Sequence, residues 1–242
     1  MRIQVFHSVN SALYFWTGTT GLLVDGIHGG PDGFSPMPES MTAQLKTRGG
    51  IFAHLDGVLF THTHSDHFCR EAFNAVLRWK NPPGVYGPGV PESSIPVHPL
   101  RPGMVRLEFP GLRVIARNTV HDGKDKGHPH QSYLLETEEE TVFIAGDAFL
   151  SPEDADAFLS CGTRGIDAAF FNPYQLNPRF GAAHIRRLCP RRVFVIHLPL
   201  PQDDIYYHHL LAAQLLKRYP TDLPSPEILP HMAWLDGNAP QW

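Results

Sequence analysis

Apolar and polar positions divide the chain into two differently patterned halves. Three short runs open it, RIQVFHSV, ALYFWTG and GLLVDGI, rich in β-branched and aromatic residues and separated by Asn10-Ser11 and by Gly18 to Gly21. They predict three strands. A Gly/Pro loop follows from His28 to Pro38, then a helix over Glu39 to Thr47 that Gly49-Gly50 ends. Asp56 to Thr61 (DGVLFT) reads as a short apolar strand, Arg70 to Lys80 as a helix, and Gly84 to Pro102 as loop around one short strand. Four strands are predicted next, at Met104–Phe109, Leu112–Val120, Gln131–Glu136 and Thr141–Ala145. From there helices alternate with strands. Helices are expected at Pro152–Ser160, Ala182–Leu188 and Asp203–Tyr219, strands at Asp167–Phe171 and Arg192–Ile196. Strands followed by helices in both halves predict an α+β fold, two sheets packed together with helices outside. No repeat or linker divides the 242 residues, so a single domain over 1–242 is expected.

Composition narrows the class. Hydrophobic residues make up 42% and charged residues 18%, which fits a globular chain and excludes disorder. No apolar run reaches the roughly 18 residues of a membrane span, and the first residues do not lead from a basic stretch into an apolar one, so no secretory signal is expected. The formal net charge of −4 gives no support to a nucleic-acid partner. Cys69, Cys161 and Cys189 are odd in number and scattered. They read as small buried hydrophobes in a reducing, cytoplasmic setting. The departure from average usage is histidine, with 15 residues.

Their placement carries the chemistry. Thr61-His62-Thr63-His64-Ser65-Asp66-His67 stands where an apolar strand ends and a helix has not begun. His62 and His64, two apart in extended backbone, face the same side. Asp66 and His67 fall in the turn beyond. Alone, Asp66 would read as a cap of the following helix. Together the four make a compact nitrogen and oxygen donor set suited to a metal. At this composition, such a string arises by chance about 0.003 times per chain. Three more donors stand at the ends of predicted strands, His121, Asp147 (after Ala145-Gly146) and His197. Strand ends on one edge of a sandwich converge, and Gly146 lets the backbone turn Asp147 inward.

THTHSDH, His121, AGD with Asp147, and His197 occur in an order that resembles the metallo-β-lactamase superfamily of metal-dependent hydrolases. The likeness runs from LLVDG to HLPLP. The resemblance implies a four-layer αββα sandwich of two mixed sheets flanked by helices. It implies one ion on His62, His64 and His121, a second on Asp66, His67 and His197, and Asp147 bridging both. His67 sets the chain closer to glyoxalase II, lactonases and RNase Z than to true β-lactamases with Arg there. It further implies Asp66 and Asp147 as catalytic groups and Asp25 as a partner that fixes a ligand imidazole. Ligands without thiolate suit two zinc ions, with manganese or iron as alternatives. Such a pair can activate a bridging hydroxide against a small ester, lactone or phosphodiester.

Elsewhere the signal is thinner. His130, Asn172, Tyr174 and His184, with His28, are candidates for lining a small-molecule pocket, each with a structural role as the plainer reading. His208-His209 read as surface. The loop HDGKDKGHPH could hold an anion through Lys124 or Lys126, or be a solvated turn. Two other functions keep the same motif. One is an oxidoreductase resembling the mononuclear-iron persulfide dioxygenases. The other is a non-catalytic metal-binding protein. Oligomeric state is not legible.

Overall fold

The structure is a computed structural model that describes residues 2–90, 95–179, 181–237 and 239. Its first sheet contains β1 (Gln4–His7), β2 (Leu13–Trp16), β3 (Gly21–Val24), β4 (Gly57–Leu59) and β5 (Gly84–Tyr86). The second contains β6 (Val97–Arg101), β7 (Met104–Phe109), β8 (Leu112–His121), β9 (Pro129–Glu136), β10 (Thr141–Ile144), the short β11 (Ala148–Phe149), β12 (Ala168–Phe171), β13 (Arg192–Val195) and β14 (Pro226–Ile228). A last strand, β15 (Ala233–Trp234), crosses back to the edge of the first sheet beside β1. Five α-helices complete the described residues, α1 (Glu39–Thr47), α2 (Arg70–Leu77), α3 (Pro152–Cys161), α4 (Gly181–Leu188) and α5 (His208–Leu216).

Strand order is β15-β1-β2-β3-β4-β5 in one sheet and β14-β13-β12-β10-β9-β8-β7-β6 in the other, with β11 on β8. Both sheets are mixed. In the first, β1 to β3 pair antiparallel and β3 to β5 parallel. In the second, β10, β12, β13 and β14 run parallel while β6 to β10 pair antiparallel.

The period of two explains the layers. Tyr133 and Leu135 of β9, Val142 and Ile144 of β10, and Phe170 of β12 face Leu13, Phe15, Leu22 and Val24 of the other sheet. Their neighbours Leu134, Phe143, Ala169 and Phe171 point the opposite way, into a core with α3, α4 and α5. On the far side, Tyr14, Leu23 and Val58 pack against Met41 and Leu45 of α1 and Phe73 and Val76 of α2. This is the expected αββα sandwich. Each large side chain so buried contributes roughly 1.5–3 kcal/mol. Local chemistry sets the helix ends: α3 starts at a reciprocal Ser151–Asp154 capping box with Pro152 in its first position.

Four expectations change. Gly84 to Pro102 contains two strands, β5 and β6, not one. The last helix begins at His208, because Tyr207 takes a left-handed conformation (φ 60°) after a turn. β11, β14 and β15 lack any alternating run long enough to read. None of the three cysteines is fully buried: Cys69 and Cys161 are half-buried, and Cys189 is exposed, following α4 where the chain reverses with φ 50°. No helix among the described residues is long and apolar enough to cross a membrane.

Candidate metal centre

The ends of β3, β4, β8, β10 and β13 meet at one edge of the sandwich. Backbone and buried polar bonds pin that edge. Tyr133 Oη donates to Phe60 O (2.6 Å) and the Gln131 amide to Thr61 O (2.8 Å), which ties β9 of one sheet to the end of β4 in the other. The His197 amide donates to Asn10 O (2.7 Å), and the Asn10 amide to Leu198 O (3.1 Å). Three turns hold left-handed backbone here: Asp25 (φ 51°), Gly146 (φ 59°) and His197 (φ 64°). Asp and His tolerate this conformation better than most residues, at some cost in strain. At Gly146 a side chain is excluded, since a Cβ would lie 2.7 Å from His130 Nε2 and 2.8 Å from Thr61 Cβ.

All seven residues expected at the centre are brought together. His62, His64 and His121 form one group able to hold a metal ion. Asp66, His67, Asp147 and His197 form another, the donor atoms of each group lying within 4.8 Å of one another. Asp147 Oδ2 is 3.5 Å from His67 Nε2, 3.4 Å from His197 Nε2 and 4.0 Å from His62 Nε2, so it faces both groups. Six of the seven are buried; His64 is half-buried. Asp66 does not cap α2, whose preceding residue is Cys69 and which has no side-chain cap.

Hydrogen bonds outside the cluster decide which nitrogens face inward. Asp25 is 1% exposed and accepts from the Thr61 amide (2.8 Å), the Thr61 hydroxyl (2.6 Å) and His67 Nδ1 (2.9 Å). Because the Thr61 hydroxyl donates to Asp25, it can only accept from His62 Nδ1 (3.0 Å). His121 Nδ1 donates to Asp122 O (2.9 Å). His62, His67 and His121, when neutral, therefore present bare Nε2 lone pairs to the cluster. His62 Nε2 and His121 Nε2 are 3.4 Å apart, and His67 Nε2 and His197 Nε2 3.1 Å apart. Asp66 Oδ2 lies 3.1 Å from His197 Nε2 and 3.5 Å from His67 Nε2. Lone pairs and carboxylates this close repel unless cations stand among them.

The electrostatics of the cluster reflect that demand. Burial opposes charge on His67, yet Asp66, Asp25 and Asp147 raise its pKa well above the ordinary range. His197 is also raised; burial again opposes, but Asp147 and Asp66 prevail. Asp66 is drawn down to about 2 against the effect of burial by the charges of His67 and His197. Asp147 is lowered for the same reason. His62, dominated by burial, is pushed well below its usual value. Protonation of His67 and His197 is thus favoured by the buried carboxylates beside them.

The residues around the cluster fall into three roles. His130 has both nitrogens committed, Nδ1 to Thr119 Oγ1 (2.8 Å) and Nε2 accepting from the Asp147 amide (3.0 Å). Asn172 donates to Asp147 Oδ1 (3.0 Å), so these two hold Asp147 in place. His28 is buried, with Nδ1 2.7 Å from Gly29 O, and its Nε2 has no hydrogen-bond partner among the described residues. Tyr174 and His184 instead line a small cavity of about 40 Å³ whose walls include Asp122 and Ala148, the chain neighbours of His121 and Asp147, but none of the seven donors. The Tyr174 phenol is raised by partial burial and by the negative charges of Asp122 and Asp147, so it stays protonated at neutral pH.

Sequence reasoning missed several contributors. The loop after β8 meets the centre through Asp125, whose Oδ2 is 3.1 Å from His64 Nε2, and through His128, stacked on His64 at 4.1 Å. Lys124 and Lys126 are exposed. Phe34 from the Gly/Pro loop packs 4.6 Å from the His197 ring and 4.8 Å from His208. His208 is consequently buried, correcting its reading as surface. An acidic residue next to a ligand was the available signal for Asp122; nothing local marks Phe34 or Asp125.

No family model and no curated protein matches this chain. Solved structures do. The metallo-β-lactamase fold protein YhfI from Bacillus subtilis has a TM-score of 0.62, at 14% identity over 96% of this chain and 98% of that one. The chain has the metallo-β-lactamase fold. A possible metal-dependent hydrolase from Veillonella parvula has a TM-score of 0.66, at 14% identity over 96% of this chain and 98% of its own. CmlA from Streptomyces venezuelae, a diiron β-hydroxylase, has a TM-score of 0.62 at 16% identity. It matches 97% of this chain but only 54% of its own length. The matched structures thus include a protein described as a possible metal-dependent hydrolase and one described as a diiron β-hydroxylase.

Proposed function

We propose that the chain is a metal-dependent hydrolase with a dinuclear centre, zinc being the favoured ion, that cleaves a small ester, lactone or phosphodiester. The observation that carries this reading is the arrangement of inward-facing lone pairs, with Asp147 Oδ2 between two donor groups. It suits two cations better than one and better than none. His62, His64 and His121 would hold one ion, Asp66, His67 and His197 the other, with Asp147 serving both. Asp125 on His64 Nε2 leaves Nδ1 of that ring for the ion. Divalent ions in such a site polarise a carbonyl or phosphoryl oxygen and lower the pKa of water to about 7.

The chain's own residues do the rest. Asp25 and Thr61 fix the imidazole tautomers. Asn172 and His130 aim Asp147. Asp66, kept ionised by its low pKa, can orient a water through its second oxygen. Imidazole and carboxylate donors without thiolate fit zinc or manganese, and they fit iron as well.

Metal analysis of protein purified without added metal tests the reading, together with turnover of an ester, lactone and bis-nitrophenyl phosphate panel. Two zinc ions per chain are expected, with activity lost in Asp147→Ala. Iron in the centre with oxygen uptake would favour the oxidative chemistry that the CmlA likeness keeps in view. Full metal loading without turnover of any panel member would leave only a metal-binding role.

A further inference from the structure

The loop after β3 runs beside the turn that carries Asp66 and His67. Ile27 pairs with Phe68, the Cys69 amide donates to Ile27 O (2.8 Å), and the Gly29 amide donates to Ser65 O (2.7 Å). Ile27 packs into the core with α1 and α2. His28 turns the other way, where Asn10 Nδ2 lies 3.4 Å from its Nδ1. Asn10 in turn accepts from the His197 amide and donates to Leu198 O. His28 therefore sits between the two segments that supply Asp66, His67 and His197, without being one of the donors gathered there. Its side chain is buried, 2% exposed. Nδ1 is 2.7 Å from Gly29 O, which holds the proton on that nitrogen and leaves Nε2 as a bare lone pair. Burial lowers the pKa of the ring, so it is neutral near pH 7; the charges that act on it are those of His67, Asp66 and Asp25. No described residue donates to Nε2. A buried acceptor without a donor is rare, and each instance calls for an explanation.

We infer that His28 Nε2 accepts a hydrogen bond from an O–H or N–H group carried on the ion that Asp66, His67 and His197 would hold. Donors to one zinc ion crowd within about 4.4 Å of each other, twice a metal–ligand bond. A lone pair just outside that set meets what the ion carries, not the ion itself. Two sources supply the same chemistry, a water on the ion or a polar hydrogen of the substrate. The assignment deepens the metal-dependent reading and rests on it.

The test is His28→Asn, whose amide keeps a donor for Gly29 O and lacks any atom at the Nε2 position, beside His28→Gln, whose oxygen reaches that position. Two measurements are made without turnover: stepwise zinc competition against a chelator, and calorimetric binding of acetohydroxamate, which carries an N–H, and of acetate, which carries no donor, to the zinc-loaded protein. If the donor is water on the ion, one zinc affinity should fall about tenfold in His28→Asn, the low end for loss of an outer partner. If it is the substrate, both zinc affinities should hold within twofold while the preference for acetohydroxamate over acetate falls about tenfold. His28→Gln should stay within threefold of wild type in either case. Neither change in His28→Asn overturns the inference, and so does equal impairment of the Asn and Gln variants, which would trace the effect to the Gly29 contact. Should circular dichroism show His28→Asn unfolded, His28→Phe, which keeps the ring volume, serves as the acceptor-free variant under the same criteria. Either shift without turnover of any ester, lactone or phosphodiester by wild type would keep the His28 assignment and overturn the hydrolase reading.

Discussion

Replacing Asp25 by Asn tests the logic of the centre most directly. Asn has the same size and tolerates the φ of 51° at this position, so the fold should survive. The Asn oxygen can still accept from the Thr61 amide. Its NH₂ then takes the place of Oδ2, where it meets the Thr61 hydroxyl and His67 Nδ1–H. The hydroxyl can turn to accept, but two N–H groups cannot pair. His67 restores the contact only by moving its proton to Nε2, which removes the lone pair facing Asp66, Asp147 and His197. Loss of such an orienting partner typically costs 10–100-fold in metal affinity, or about 1.4–2.7 kcal/mol. The ion on the Asp66, His67 and His197 side should lose most. Stepwise zinc competition against a chromophoric chelator reads both affinities, and circular dichroism confirms the fold. Native-like Asp25→Asn protein binding both ions within twofold of wild type would refute the tautomer argument.

Asp125→Ala should weaken the ion on the His62, His64 and His121 side by about tenfold, the low end of the range because Asp125 is exposed; equal weakening of both ions in the same competition assay would contradict this. Gly146→Ala places a Cβ in left-handed backbone against His130 and Thr61, and the combined strain and overpacking should cost about 2–4 kcal/mol in urea unfolding; a change under about 0.5 kcal/mol would contradict the packing. His7 is buried with its nitrogens 3.0 Å from the Asn10 and Pro230 carbonyls, and burial lowers its pKa to about 4. Its folded pKa lies below the unfolded value near 6.5, so its share of stability is complete above pH 6.5 and falls away toward pH 4. About 2 kcal/mol is lost by pH 5. In chelator, His7→Gln should lose about that much less stability than wild type between pH 7 and 5, and identical pH dependences would refute it.

How much was legible divides along physical lines. The period of two in the strands and the cap and Gly/Pro signals placed most elements, because those patterns are short-range. The donor set was legible for the same reason: four of its seven residues lie in one six-residue string, and the other three stand at the ends of readable strands. Asp25 could be singled out only as a strand-end aspartate within LLVDG. Its contact with His67 needed β3 and β4 side by side. The tertiary structure alone decided that His130 and Asn172 hold Asp147, that Asp125 and His128 clamp His64, and that Tyr174 and His184 share a cavity. It also decided that His208 is buried, because Phe34, 174 residues earlier, fills the space between it and His197. Periodicity reports which face of an element is apolar. It carries no information on which distant loop that face meets, because such contacts arise only when two sheets close on one another.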